Sequence, residues 1–92
     1  MSWALTTTAS FDRTARKFLK KHPELRTRFS ETLSQLSTDP FQPNLRLHAL
    51  SGKLSGLQAI SLTYSYRITL TLQITEHEIL LLDLGSHDEV YS

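Results

Sequence analysis

The stretch from Tyr66 to Thr75 constrains this chain more than any other. Tyr66, Ile68, Leu70, Leu72 and Ile74 alternate with Arg67, Thr69, Thr71, Gln73 and Thr75. An apolar residue at every second position is the period of a strand with one face in a core and the other in water. Ile60, Leu62 and Tyr64 give a weaker alternation before it. After a turn at Glu76-His77-Glu78 comes the run Ile79-Leu80-Leu81-Leu82-Asp83-Leu84. A short continuous apolar run suits a strand buried on both faces in mid-sheet. Three strands this close in sequence form an antiparallel meander.

The apolar face of that meander needs a cover, and the first forty residues supply it. Ser10 is a plausible N-cap, and Phe11, Ala15, Phe18 and Leu19 follow at helical spacing. The helix should stop near His22, because the residue before Pro23 is pushed out of the helical region. Pro23 suits the first turn of a second helix, whose stripe is Leu25, Phe29, Leu33 and Leu36. Thr38-Asp39-Pro40 ends it. Trp3 to Thr8 reads as a first strand, added at an edge or beside the last one. Residues 39–56 look mostly irregular, and a connection this long in a small domain is more often functional than idle. The expected architecture is α+β, with two helices on one face of a mainly antiparallel four-stranded sheet. Arg67, Thr69, Thr71 and Gln73 then point to the other face, which is expected to be open, polar and slightly concave.

Ninety-two residues suit one domain over 1–92. The absence of cysteine excludes a disulfide framework, a thiolate zinc site and a cysteine nucleophile. No run reaches the eighteen or so apolar residues of a membrane span. The first residues lack the basic and apolar regions of a secretory signal, so a cytoplasmic location is the expectation. Net charge is only +1, but it is unevenly spread. Residues 1–56 hold nine basic residues against four acidic ones, and residues 57–92 hold Arg67 alone against five acidic ones. A basic half of this kind attracts a polyanion or an acidic protein; a solvated helix face accounts for the same residues.

Imidazole is the side chain best suited to moving protons near neutral pH. His22, at the helix junction, and His77, between two glutamates, read as structural or solvent-facing. His48 lies in the long connection, and His87 follows the last strand in Gly85-Ser86-His87-Asp88-Glu89-Val90-Tyr91. No phosphate-binding glycine loop, nucleophile elbow or dinucleotide fingerprint is present. A metal set of His48, His87, Asp83 and Asp88 has no paired-histidine spacing behind it. Asp83, inside an apolar run, would need a buried partner such as a backbone N–H group or an arginine.

Three segments together resemble the RelE/ParE superfamily of toxins, and within it the RelE-like and YafQ-like mRNA interferases. They are the Gly52-Lys53-Leu54-Ser55-Gly56 loop, Tyr66-Arg67-Ile68, and Gly85-Ser86-His87-Asp88-Glu89-Val90-Tyr91. The element order matches that fold over essentially the whole chain. The resemblance implies a type II toxin that cuts mRNA in the ribosomal A site and is neutralised by a cognate antitoxin. The implied chemistry uses no metal or other cofactor. A ribose 2′-OH attacks the adjacent phosphate, leaving a cyclic phosphate and a 5′-OH. By the same resemblance His87 is the general acid, His48 the general base and Arg67 the phosphate clamp. Lys53 contacts the RNA backbone, Tyr91 is a base platform, and Asp88 orients a histidine or caps the tail; the two histidine roles are exchangeable. The basic helices would grip rRNA. The chain departs from the group where Gln58 and Ala59 stand in place of a large aromatic, and in having Lys53 as the loop's only lysine. A ParE-like gyrase poison shares the fold, as does a degenerate relative that only binds its antitoxin. The His87-to-Tyr91 tail argues against the former, since a pure binder needs no acid or base there.

Overall fold

The alternation at Tyr66 builds the central strands. In the computed structural model, which describes residues 2–86, strand β4 (Tyr66–Gln73) pairs antiparallel with β3 (Gln58–Ser61) and with β5 (Glu78–Ser86). Strand β1 (Ala4–Thr7) joins β5 in parallel, so the first strand lies beside the last. Strand β2 (His48–Ala49) pairs antiparallel with the far edge of β3. The sheet is mixed and has five strands in the order β1-β5-β4-β3-β2, not the four expected. The fifth comes from the long connection. That segment also forms short 3-10 turns at Pro43–Leu45 and Gly52–Leu54, so it is far from irregular.

Helices α1 (Ala9–Lys21) and α2 (Arg26–Thr38) cover one face of the sheet, with a 3-10 turn at Pro23–Leu25 between them. Phe11, Ala15 and Phe18 of α1 and Leu36 of α2 meet Ile60, Ile68, Leu70, Ile79, Leu81 and Leu84 in one core. Leu45 from the long connection completes it. Thr32 also lies in the α2 stripe, where its hydroxyl donates to the Arg28 carbonyl at 2.7 Å. Ile74, expected in the buried set, is 61% exposed because β4 ends at Gln73 and the turn spans 74–77. His77 adopts left-handed backbone there (φ 55°) and stacks on Trp3 with ring centroids 4.2 Å apart. No helix among the described residues is long and apolar enough to cross a membrane.

The N-cap of α1 is Thr8, two residues before the expected Ser10. Its Oγ1 accepts from the Phe11 N–H at 3.1 Å and donates to the Leu81 carbonyl of β5 at 3.2 Å. One hydroxyl thus starts the helix and ties it to β5. Thr8→Ala is expected to cost about 1–2 kcal/mol. That lowers the melting temperature by about 4–8 °C per kcal/mol in a domain of this size. Thermal unfolding followed by circular dichroism measures it, and Thr8→Ser should recover most of the loss.

Strand β5 carries one irregularity that matters for the site. Thr69 opposes Asp83 but Leu70 opposes Leu81, so Leu82 is an extra residue in a bulge. The bulge lets Leu81 and Leu84, three apart, both face the core. Leu80 and Leu82 remain half-buried on the opposite face, so the run is not enclosed on both sides as expected. Asp83 has one of the partners expected for it, a backbone N–H: its carboxylate accepts from the Leu84 N–H at 2.8 Å, but the residue is exposed and not buried within the run.

Candidate active site

The side chains on the uncovered face follow from register. Ser61, Arg67 and Gly85 form one row across β3, β4 and β5. His48, Ala59, Thr69 and Asp83 form the next, across four strands. Arg67 therefore lies on the face that the helices leave uncovered, as its alternation requires. The face is less open and polar than expected. Ala59 is fully buried, and Leu50, Leu54 and Leu57 gather on it, so the 50–57 loop lies back over β3. The methyl of Ala59 leaves room for this. Gly52 and Gly56 take positive φ (67° and 94°) in open space, which gives them a backbone reason to be glycine. Lys53 is exposed in the 3-10 turn of that loop.

Arg67 is held in place by its own turn. Its Nη1 donates to the carbonyls of Thr63, Tyr64 and Tyr66 at 2.9, 3.0 and 3.3 Å. From the helix side, Arg28 Nε donates to the Leu62 carbonyl at 3.1 Å. Two guanidinium groups thus brace the β3–β4 turn. A guanidinium has five N–H donors in a planar fork. With Nη1 engaged by the turn, Nε and Nη2 remain to meet an anion.

His48 is exposed, and its Nδ1 lies 2.8 Å from the Arg46 carbonyl. A carbonyl only accepts, so Nδ1 carries the proton and the lone pair of the neutral ring is on Nε2. That is the tautomer a base acting through Nε2 requires. Arg46 presents this carbonyl from left-handed backbone (φ 55°, ψ 46°), an unusual conformation for a residue with a side chain. From the strand register, the Cα atoms of His48 and Arg67 stand about 12 Å apart, two strands over and two residues along. They share the uncovered face, but the Arg67 guanidinium is bonded to the 63–66 turn, which lies on the side of the Arg67 row away from the His48 row.

The other two histidines are structural. His22 Nε2 is 3.3 Å from Tyr66 Oη and its Nδ1 is 3.4 Å from a Glu24 carboxylate oxygen, with Phe18 packed alongside. His77 stacks on Trp3, as described. His87, Asp88 and Tyr91 lie outside the described residues. Strand β5 is described as far as Ser86, which pairs with Tyr66, next to the Arg67–Gly85 pair. No group of three His, Asp, Glu or Cys that could hold a metal occurs among the described residues. Sequence reasoning singled out neither Arg28 nor Arg46, because both act through backbone carbonyls that leave no residue-type signature.

No family model matches the sequence, and no curated protein matches it. Solved structures do. The Escherichia coli DinJ–YafQ toxin–antitoxin complex contains a chain matching all of this one over its own full length, with a TM-score of 0.78 at 13% identity. The YoeB/ParE toxin from Agrobacterium tumefaciens matches with a TM-score of 0.75 at 13% identity, over 91% of this chain and 98% of that one. The fold is that of the RelE/ParE toxins. The Mycobacterium tuberculosis RelBE2 toxin–antitoxin complex repeats it, with a TM-score of 0.71 at 15% identity over 95% of this chain and 100% of that one. At these identities the likeness is one of RelE/ParE architecture alone.

Proposed function

We propose that the protein is the toxin of a type II toxin–antitoxin pair and acts as a ribosome-dependent mRNA endoribonuclease. The observation that carries this reading is the placement of Arg67. It projects from the uncovered face of a RelE/ParE-type sheet, braced by its own turn, with His48 on the same face. The His87-to-Tyr91 tail follows directly in sequence from the strand that pairs with Arg67.

In this mechanism His48 Nε2 takes the proton from the ribose 2′-OH, and the resulting alkoxide attacks the adjacent phosphorus. Arg67 meets the non-bridging oxygens, where negative charge accumulates in the phosphorane. The bond to the 5′-oxygen breaks as His87 protonates that oxygen. The products are a 2′,3′-cyclic phosphate and a 5′-OH. Lys53 contacts the RNA backbone beside the scissile group, and Tyr91 stacks on a base to hold the strand for in-line attack. The basic residues of α1, Arg13, Arg16, Lys17, Lys20 and Lys21, are exposed and suit phosphate contacts with rRNA. The cognate antitoxin is the proposed protein partner.

Mapping RNA ends after induction without antitoxin tests the reading. The expected result is growth arrest with in-frame mRNA cuts carrying cyclic phosphate and 5′-OH ends. Trapped gyrase–DNA complexes with intact mRNA would overturn it in favour of a ParE-like poison. Normal growth would point to a chain that only binds its antitoxin.

A further inference from the structure

Tyr64 is the most exposed large hydrophobic side chain among the described residues, at 94%, and the proposed mechanism gives it no work. The other two large apolar side chains left in water are more covered. Phe41 is 56% exposed and meets Trp3 edge-on with centroids 6.0 Å apart, and Ile74 is 61% exposed in the β4–β5 turn. Tyr64 makes no ring contact or side-chain hydrogen bond among the described residues, yet its backbone is tightly held. The Leu62 and Thr63 N–H groups both donate to the Tyr66 carbonyl, at 2.9 and 3.3 Å. The Ser65 N–H donates to Thr63 Oγ1 at 3.2 Å, and the Tyr64 carbonyl itself accepts from Arg67 Nη1 at 3.0 Å. A bare aromatic ring thus stands on a braced turn, one residue's reach from the guanidinium proposed to hold the scissile phosphate.

We infer that Tyr64 is a nucleobase-stacking residue that takes the base of a nucleotide flanking the scissile phosphate. This deepens the nuclease reading and rests on it. Bases in single-stranded RNA are recognised by stacking on exposed aromatic rings, and every base offers a π-face. A ring on a rigid turn loses little freedom when a base settles on it. The scissile phosphate joins two nucleosides, and in-line attack requires them to be splayed. Tyr91 is proposed to hold one base; Tyr64 supplies a platform for the other. The shared turn links the two contacts, because the carbonyl that anchors Arg67 belongs to the residue whose ring takes the base.

The test is single-turnover cleavage of mRNA on programmed ribosomes, comparing wild type, Tyr64→Leu and Tyr64→Phe. Tyr64→Leu keeps apolar bulk but loses the ring, and should slow cleavage on the order of tenfold to a hundredfold. Tyr64→Phe should restore most of the rate. An abasic nucleotide is then placed at each of the three A-site codon positions in turn. At one of them the difference between wild type and Tyr64→Leu should vanish, because the ring's partner is gone. A purely structural role would leave the deficit unchanged at all three, and melting curves should show Tyr64→Leu as stable as wild type. Tyr64→Leu cutting as fast as wild type, or a deficit unaffected by every abasic position, overturns the inference while the nuclease reading stands. Wild type failing to cut at all overturns both.

Discussion

His87→Ala is expected to slow mRNA cleavage on programmed ribosomes by about a hundredfold to ten-thousandfold, the usual worth of a general acid or base. The effect should fall on the chemical step. Without a proton donor the 5′-oxygen must leave as an alkoxide, a far poorer leaving group than a hydroxyl. That gives a way to separate His87 from His48. An mRNA whose 5′-bridging oxygen is replaced by sulfur at the cleavage site has a leaving group that departs as a thiolate and needs no proton. On that substrate His87→Ala should recover most of its lost rate, whereas His48→Ala should stay slow because its 2′-OH is still not deprotonated. Recovery by His48→Ala alone would exchange the two roles. Equal cutting of the ordinary substrate by wild type and His87→Ala would remove His87 from the mechanism. The Nδ1 contact of His48 with the Arg46 carbonyl favours the base assignment, since it leaves the lone pair on the other nitrogen.

The parts of the fold that were legible in sequence are those in which one buried face imposes a period. Tyr66, Ile68, Leu70 and Leu72 alternate because the helices cover one side of β4, and Phe11, Ala15 and Phe18 recur because α1 lies on the sheet. Features decided by single backbone contacts were not legible. Both Thr8 and Ser10 are good caps by residue type, and the choice turns on which hydroxyl can also reach Leu81. The Leu82 bulge hides in a run of leucines, because any parity is apolar there. Strand β2 is two residues long and exists only through its pairing with Gln58 and Ala59. That pairing is what brings His48 onto the face of Arg67, so half of the described site depends on the element with the weakest sequence signal. Tyr64 was read as continuing the alternation of Ile60 and Leu62, but β3 stops at Ser61 and the ring is in water.

Arg67→Lys should be nearly as damaging to cleavage as Arg67→Ala, with a loss of about a hundredfold to a thousandfold for each. The geometry explains why the conservative change fails. Nη1 is committed to three turn carbonyls, and the phosphate has to be met by the other nitrogens of the same rigid fork. A lysine ammonium can take the carbonyls or follow the phosphate, but as a point charge it does not span both. If Arg67 answers charge that develops in the phosphorane, the loss falls on kcat with KM little changed. A rise in KM with kcat intact would instead make it a ground-state contact and move transition-state stabilisation elsewhere, with Lys53 the nearest candidate by sequence. The turn gives an independent readout. Losing the Nη1 bonds should cost about 1 kcal/mol, since the freed carbonyls can turn to water. Arg67→Ala should therefore melt a few degrees lower, far too little to account for the kinetic loss. Arg28→Ala releases the same turn from the helix side. It should match that melting change while retaining far more cleavage, which separates bracing of the loop from contact with the phosphate.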